Sequence, residues 1–181
     1  MISTRIPLEN SDAVSSVVAL LLRFPEISSI WSHPTDGTIR LTYAVSRRLA
    51  KAEQRELAEA FEEHLRAFVA LEGRDLSQLR VRCETDKTLS FIHVNRDSVT
   101  FTREELALQL GLLSERFGDA LVRNPAEDSL DDESPEGTDE EIEHAIEAMR
   151  SQKRSLVGYR EEKRVHVYFL NKRKAKAAAR R

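Results

Sequence analysis

An α+β fold, an antiparallel sheet with helices packed on one face, is predicted by two features of this sequence. Segments of helical and of strand periodicity follow one another as helix, strand, strand, and then repeat that order. Short polar stretches rich in turn-forming residues join the members of each strand pair.

The first helix starts at Ser11 or Asp12 as N-cap, which sets Val14, Val17, Val18 and Leu21 on one face, and Pro25 favours a stop. Ile27 to Ser32 and Thr38 to Val45 then read as strands joined by His33-Pro-Thr-Asp-Gly-Thr38, in which Pro34 and Asp36-Gly37 are strong turn formers. Ile39, Leu41, Tyr43 and Val45 alternate with Arg40 and Thr42, so one side of that strand is apolar. A long helix from about Arg48 to Glu72 places Leu57, Phe61, Leu65, Phe68 and Val69 at helical spacing, with Gly73 as its C-cap. Leu79, Val81 and Cys83 alternate with Arg80, Arg82 and Glu84, and after a polar turn a fourth strand runs from about Leu89 to Val94. Ser98 to Phe101 is expected as a short strand. Thr102 and Glu105 form a capping box that opens a helix carrying Leu106, Leu110, Leu113 and Phe117. The doubled order makes a permuted ferredoxin-like arrangement the concrete expectation.

The remainder differs in composition. Residues 124–137 combine two prolines, one glycine and many acids with Leu130 as the one large apolar side chain, so burial cannot offset the cost of ordering them. Thr138 and Glu141 form a second capping box, and Ile142, Ile146 and Met149 make a narrow apolar stripe on the helix that follows. Two short strands around Arg160-Glu-Glu-Lys163 complete a hairpin too small to stand alone, which needs the main sheet or a second copy as support. The expected organisation is an α+β domain over 1–123, an acidic flexible linker over 124–137, and a helix, hairpin and basic tail over 138–181.

The net charge of -3 conceals a strong asymmetry. Residues 1–123 hold 16 Lys/Arg against 18 Asp/Glu, residues 124–149 hold 11 acids and no Lys or Arg, and residues 150–181 hold 12 bases against two acids. A 40% apolar and 33% charged composition fits a highly charged globular protein, and no stretch reaches the ~20 apolar residues of a membrane span. The apolar run Val17 to Leu22 is preceded by Glu9 and Asp12 and ended by Arg23, without a small-x-small cleavage site. With Cys83 as the single cysteine, the reading is a cytoplasmic protein without an intrachain disulfide.

Motifs for catalysis are weak. Glu141 and His144 have the Glu-x-x-His spacing of carboxylate metal sites, but no second copy occurs, and acids at a helix start complement its dipole. His64 shares a helical face with Leu57 and Phe61 and has no partner nucleophile in any recognisable motif. His33, His93 and His166 show no ligand spacing, and Cys83 alternates as a core residue would. The six glycines form no phosphate-binding loop or nucleophile elbow, and no aromatic pair of the kind that stacks bases on a sheet is visible. No cofactor, metal site or enzymatic activity is expected.

Two basic features point to a polyanion. Arg40, Arg80 and Arg82 share the polar side of the sheet, where guanidinium groups could grip phosphate, with Glu84 on the same side as a counterweight. Lys172, Arg173, Lys174, Lys176, Arg180 and Arg181 crowd the last ten residues, and Arg160, Lys163 and Arg164 precede them. The leading expectation is a non-enzymatic protein that contacts nucleic acid or a ribonucleoprotein through this basic C-terminal unit. The rival is a protein-interaction or assembly module, docking a partner or a second copy through Ile142, Ile146, Met149 and the last hairpin.

Overall fold

The computed structural model describes residues 11–124, 139–161 and 164–170. Its elements are α1 (Ser11–Arg23), β1 (Ile27–His33), β2 (Thr38–Val45), α2 (Lys51–Leu71), β3 (Leu79–Asp86), β4 (Leu89–Asp97), α3 (Arg103–Phe117), a 3-10 turn (Gly118–Ala120), α4 (Asp139–Ser151), β5 (Leu156–Glu161) and β6 (Arg164–Phe169). The six strands form one antiparallel sheet in the order β3-β4-β2-β1-β5-β6, which is three hairpins laid side by side. The fold is therefore α+β, as the alternating pattern predicts. The β3-β4-β2-β1 portion has the order of a permuted split-βαβ sheet, and the third hairpin extends it beyond β1.

Strand pleating assigns every side chain to a face. Ile39, Leu41, Tyr43 and Val45 of β2 are buried, and they share a side with Ile92 and Val94 of β4, Ile30 of β1 and Leu156 of β5. In β1 a bulge between Ile27 and Ser29 turns Ile27 to that same side, which is why two buried isoleucines stand three residues apart instead of two. The four helices contribute to the core beneath this face: Leu57, Phe61 and Leu65 of α2, Leu106, Leu113 and Phe117 of α3, Val17 and Leu21 of α1, and Ile142, Ile146 and Met149 of α4 all join one core cluster.

Gly158 explains how α1 reaches the third hairpin. A Cβ at this position would lie 2.2 Å from Cγ1 of Val17 and 3.1 Å from Cδ1 of Leu21, so only glycine lets the helix approach so closely. The buried stripe of α1 is Ala13, Val17, Leu20 and Leu21, while Val14 and Val18 are half-buried. The stripe is turned from the predicted one because α1 packs simultaneously on the β5-β6 hairpin and on α4.

The C-terminal segment belongs to the same sheet. β5 pairs with β1 from Ser29↔Tyr159 to Ser32↔Leu156, so the hairpin is supported by the main sheet of its own chain. Ile142, Ile146 and Met149 of α4 are buried in the common core, and Arg150 of α4 donates to the carbonyls of Ser98 (2.8 Å) and Phe101 (2.5 Å). The boundary expected at residue 138 thus marks no break in the sheet or the core.

One expected element is corrected. Residues 98–101 form no strand, because β4 runs on to Asp97 and the chain then turns. Asp97 sets the turn: its carboxylate accepts from the Thr100 N–H (3.1 Å) and hydroxyl (2.5 Å), a local side-chain bond that competes with strand pairing.

A polar network lies inside the helix-covered face. Arg96, 1% exposed, donates Nε to Oε1 (2.7 Å) and Nη2 to Oε2 (2.8 Å) of Glu105, which is fully buried on α3. The same guanidinium also donates to Asp97, to the Gln78 carbonyl (3.2 Å) and to the Thr100 hydroxyl (3.0 Å). Gln109 donates to Glu105 (3.3 Å) and accepts the Tyr43 hydroxyl proton (2.9 Å), which links β2, β4 and α3. Burial pushes the Asp97 carboxyl up, but hydrogen bonds from Thr100 and the charge of Arg96 outweigh it and hold the group below its ordinary value.

Candidate nucleic-acid interface

The side chains of alternate parity occupy the other face of the sheet, on which none of the four described helices packs. Following the register from strand to strand gives two adjacent rows. The first is Arg80, Asn95, Arg40, Trp31, Val157 and Tyr168, read through the pairs Arg80↔Asn95, Arg40↔Asn95, Trp31↔Arg40, Trp31↔Val157 and Val157↔Tyr168. The second is Arg82, His93, Thr42, Ser29, Tyr159 and His166, through Arg82↔His93, Thr42↔His93, Ser29↔Thr42, Ser29↔Tyr159 and Tyr159↔His166. With strands about 4.8 Å apart, each row spans roughly 24 Å. Its β3 end is cationic and its β6 end aromatic.

The aromatic end comes from three strands. Tyr159 and His166 stand opposite each other with ring centroids 5.5 Å apart, and Tyr168 lies 6.0 Å from Tyr159 and 6.3 Å from His166, all three rings within 24° of parallel. Tyr168 is 52% exposed. Trp31 stacks on His33 at 5.9 Å, and the Arg40 guanidinium lies over the Trp31 ring at 5.9 Å from its centroid, joining the aromatic and cationic halves.

Arg40 donates Nε to Oδ1 of Asn95 at 2.7 Å. Burial, and then the nearby charge of Arg82, lower the Arg40 pKa, with Glu84 opposing them. His93 accepts or donates at Nδ1 with the Thr42 hydroxyl (3.0 Å), and its Nε2 meets the Glu84 carboxylate at 3.1 Å. Burial lowers the His93 pKa despite Glu84, and burial followed by Arg40 lowers that of His33 against the pull of Asp36. His33 is 4% exposed, and its Nε2 has no hydrogen-bond partner among the described residues.

Of the basic residues expected to grip phosphate, Lys163, Lys172, Arg173, Lys174, Lys176, Arg180 and Arg181 lie outside the described residues. Arg164 is exposed at the start of β6 on the same face as His166 and Tyr168. Arg160 points the other way, toward the helices, and its guanidinium donates to the Phe24 carbonyl (3.4 Å) near Glu26. The stripe Ile142, Ile146 and Met149 packs against α1 within the chain's own core, and so is not offered to a partner. What the sequence reading missed is the aromatic surface. Each contributing strand shows one or two rings, and only the non-sequential pairing of β1 with β5 brings them together.

The other candidates are placed apart from this face. His64 is exposed on α2, its Nδ1–H donating to the Ala60 carbonyl (2.7 Å), beside a cleft of about 380 Å³ between α2 and α3. Glu141 and His144 are exposed on α4, and among the described residues no group of three His, Cys, Asp or Glu is arranged to hold a metal. Cys83 faces the helices half-buried, where burial pushes its thiol up to about 11. No described helix is long and apolar enough to cross a membrane. Comparison with family models, with curated proteins and with solved structures finds no match to this chain.

Proposed function

We propose that this is a non-enzymatic, cytoplasmic protein that binds single-stranded nucleic acid, free or within a ribonucleoprotein, on the helix-free face of its sheet. Bases stack on Trp31, Tyr159, His166 and Tyr168, while Arg40, Arg80 and Arg82 receive phosphates. The basic residues from Lys172 onward continue the chain directly from the aromatic strand β6 and add further phosphate contacts. The observation that carries this reading is the continuous pair of rows from Arg80 and Arg82 to Tyr168 and His166. Unstacked bases present a π-face to such a surface, whereas a duplex conceals them.

The test is a titration of labelled single-stranded RNA and of duplex DNA at two salt concentrations. The protein is taken as the full chain, as Trp31→Ala, as Arg40→Gln with Arg82→Gln, and as a chain ended after Asn171. Stacking on one aromatic residue contributes ~1–3 kcal/mol, so Trp31→Ala should weaken single-strand binding about 5- to 150-fold with its salt dependence intact. The arginine pair and the shortened chain should instead lower the salt dependence. Preference for duplex, or binding unchanged in Trp31→Ala, would overturn the proposal.

A further inference from the structure

The two edges of the sheet are built differently. On β3, the Val81 N–H, which points away from β4, donates to a Glu62 carboxylate oxygen of α2 at 2.7 Å, and the exposed Arg80, Arg82, Glu84 and Asp86 line the strand. Side chains from a neighbouring helix and charges along a strand are the ordinary means of blunting an edge. At the opposite edge, β6 carries apolar residues at Val165, Val167 and Phe169 alternating with His166 and Tyr168. The Leu170 N–H bonds the Ser155 carbonyl, which places Tyr168, His166 and Arg164 at the positions that bond β5. Val165, Val167 and Phe169 therefore turn their N–H and C=O groups outward. Among the described residues nothing pairs with these groups.

We propose that β6 is the seat of a homodimer, formed by antiparallel addition of β6 to its copy across a twofold axis at Val167. The register is self-complementary. Val167 faces itself, Val165 faces Phe169 of the partner subunit, and each pair exchanges the two hydrogen bonds that both edges otherwise lack. No like charges oppose one another, because Arg164 falls beside the partner's Leu170 and His166 beside the partner's Tyr168. On the helix-free face the aromatic cluster of one protomer then continues into that of its partner, giving one sheet of two joined platforms. The dimer stands independently of the nucleic-acid reading; only the doubling of the platform rests on it.

Sedimentation of the full chain without nucleic acid, from about 1 to about 100 µM, tests the dimer across a dissociation constant near 10 µM. Backbone hydrogen exchange at the same concentrations reads the interface. The proposal expects mass to double with concentration while the amides of Val165, Val167 and Phe169 slow together. Val167→Pro removes an outward N–H and no bond to β5, so it should stay monomeric with its thermal unfolding close to that of the parent chain. A monomer throughout, or a dimer in which those three amides exchange as fast as in dilute protein, would overturn it. The exchange reading needs no variant, so the conclusion survives if Val167→Pro fails to fold.

Discussion

Arg96 and Arg40 sit on neighbouring strands of one sheet and face opposite sides of it. The Arg96 guanidinium is almost wholly removed from water and is met by two carboxylates, a carbonyl and a hydroxyl, which neutralise it and fix β4 to α3. The Arg40 guanidinium donates to the neutral amide of Asn95 and lies over the Trp31 indole, and Arg82 and the opposing Glu84 both act on it. The same side chain is thus an internal tie in one setting and a member of a polar row on the helix-free face in the other. Burial with matched carboxylates decides the first setting; a half-exposed position on the helix-free face decides the second.

The contrast can be broken from its buried side with the largest effect. Glu105→Ala leaves the Arg96 charge buried without its bidentate partner and should cost ~3–5 kcal/mol of stability by urea denaturation, with nucleic-acid affinity per folded molecule unchanged. Gly158→Ala drives a methyl into Val17 under α1 and should cost ~1–3 kcal/mol. Combining it with Val17→Ala should recover part of that loss, and a purely additive double variant would refute the proposed contact.

The helix-free face should respond in binding and hardly in folding. Arg40→Gln should shift stability by no more than ~0.5 kcal/mol while weakening single-strand binding several-fold at low salt and less at high salt. The smallest effect concerns pH. His33 and His93 have lowered folded-state pKa values, so below the ordinary value of 6.5 the unfolded chain takes up protons first. Their contribution to stability is present above that pH and is lost as the pH falls through the lowered values. Binding should move oppositely, because phosphate favours the protonated imidazoles among Arg40, Arg82, Glu84 and Asp36. Affinity measured at pH 7.5 and 6.0 should rise on acidification, and His93→Gln should diminish the rise.

Much of the fold was legible because the strands read cleanly. The Ile39-Leu41-Tyr43-Val45 alternation placed β2 with its inner side correct, and the Thr102–Glu105 box located the start of α3, where the Thr102 hydroxyl accepts the Glu105 N–H. The network around Arg96 leaves a trace in the sequence: Ile92, Val94 and Arg96 alternate, which puts an arginine on the apolar side. Its partner Glu105 has the sequence position of a capping residue, a role that does not reveal burial. The strand expected at 98–101 failed because a single Asp97 carboxylate captured the Thr100 N–H.

By itself, the sequence determined most of the elements, the apolar side of β2, the three hairpins and the charge asymmetry, since these follow from local periodicity and turn chemistry acting over a few residues. Tertiary structure alone decided that the third hairpin joins β1, that α4's apolar stripe is covered by α1, and that Trp31 shares one face of the sheet with Tyr159, His166 and Tyr168. Those outcomes depend on pairing between strands more than a hundred residues apart in the chain. Such pairing is set by which edges and apolar faces fit together once the core closes, and no local pattern of residues encodes it.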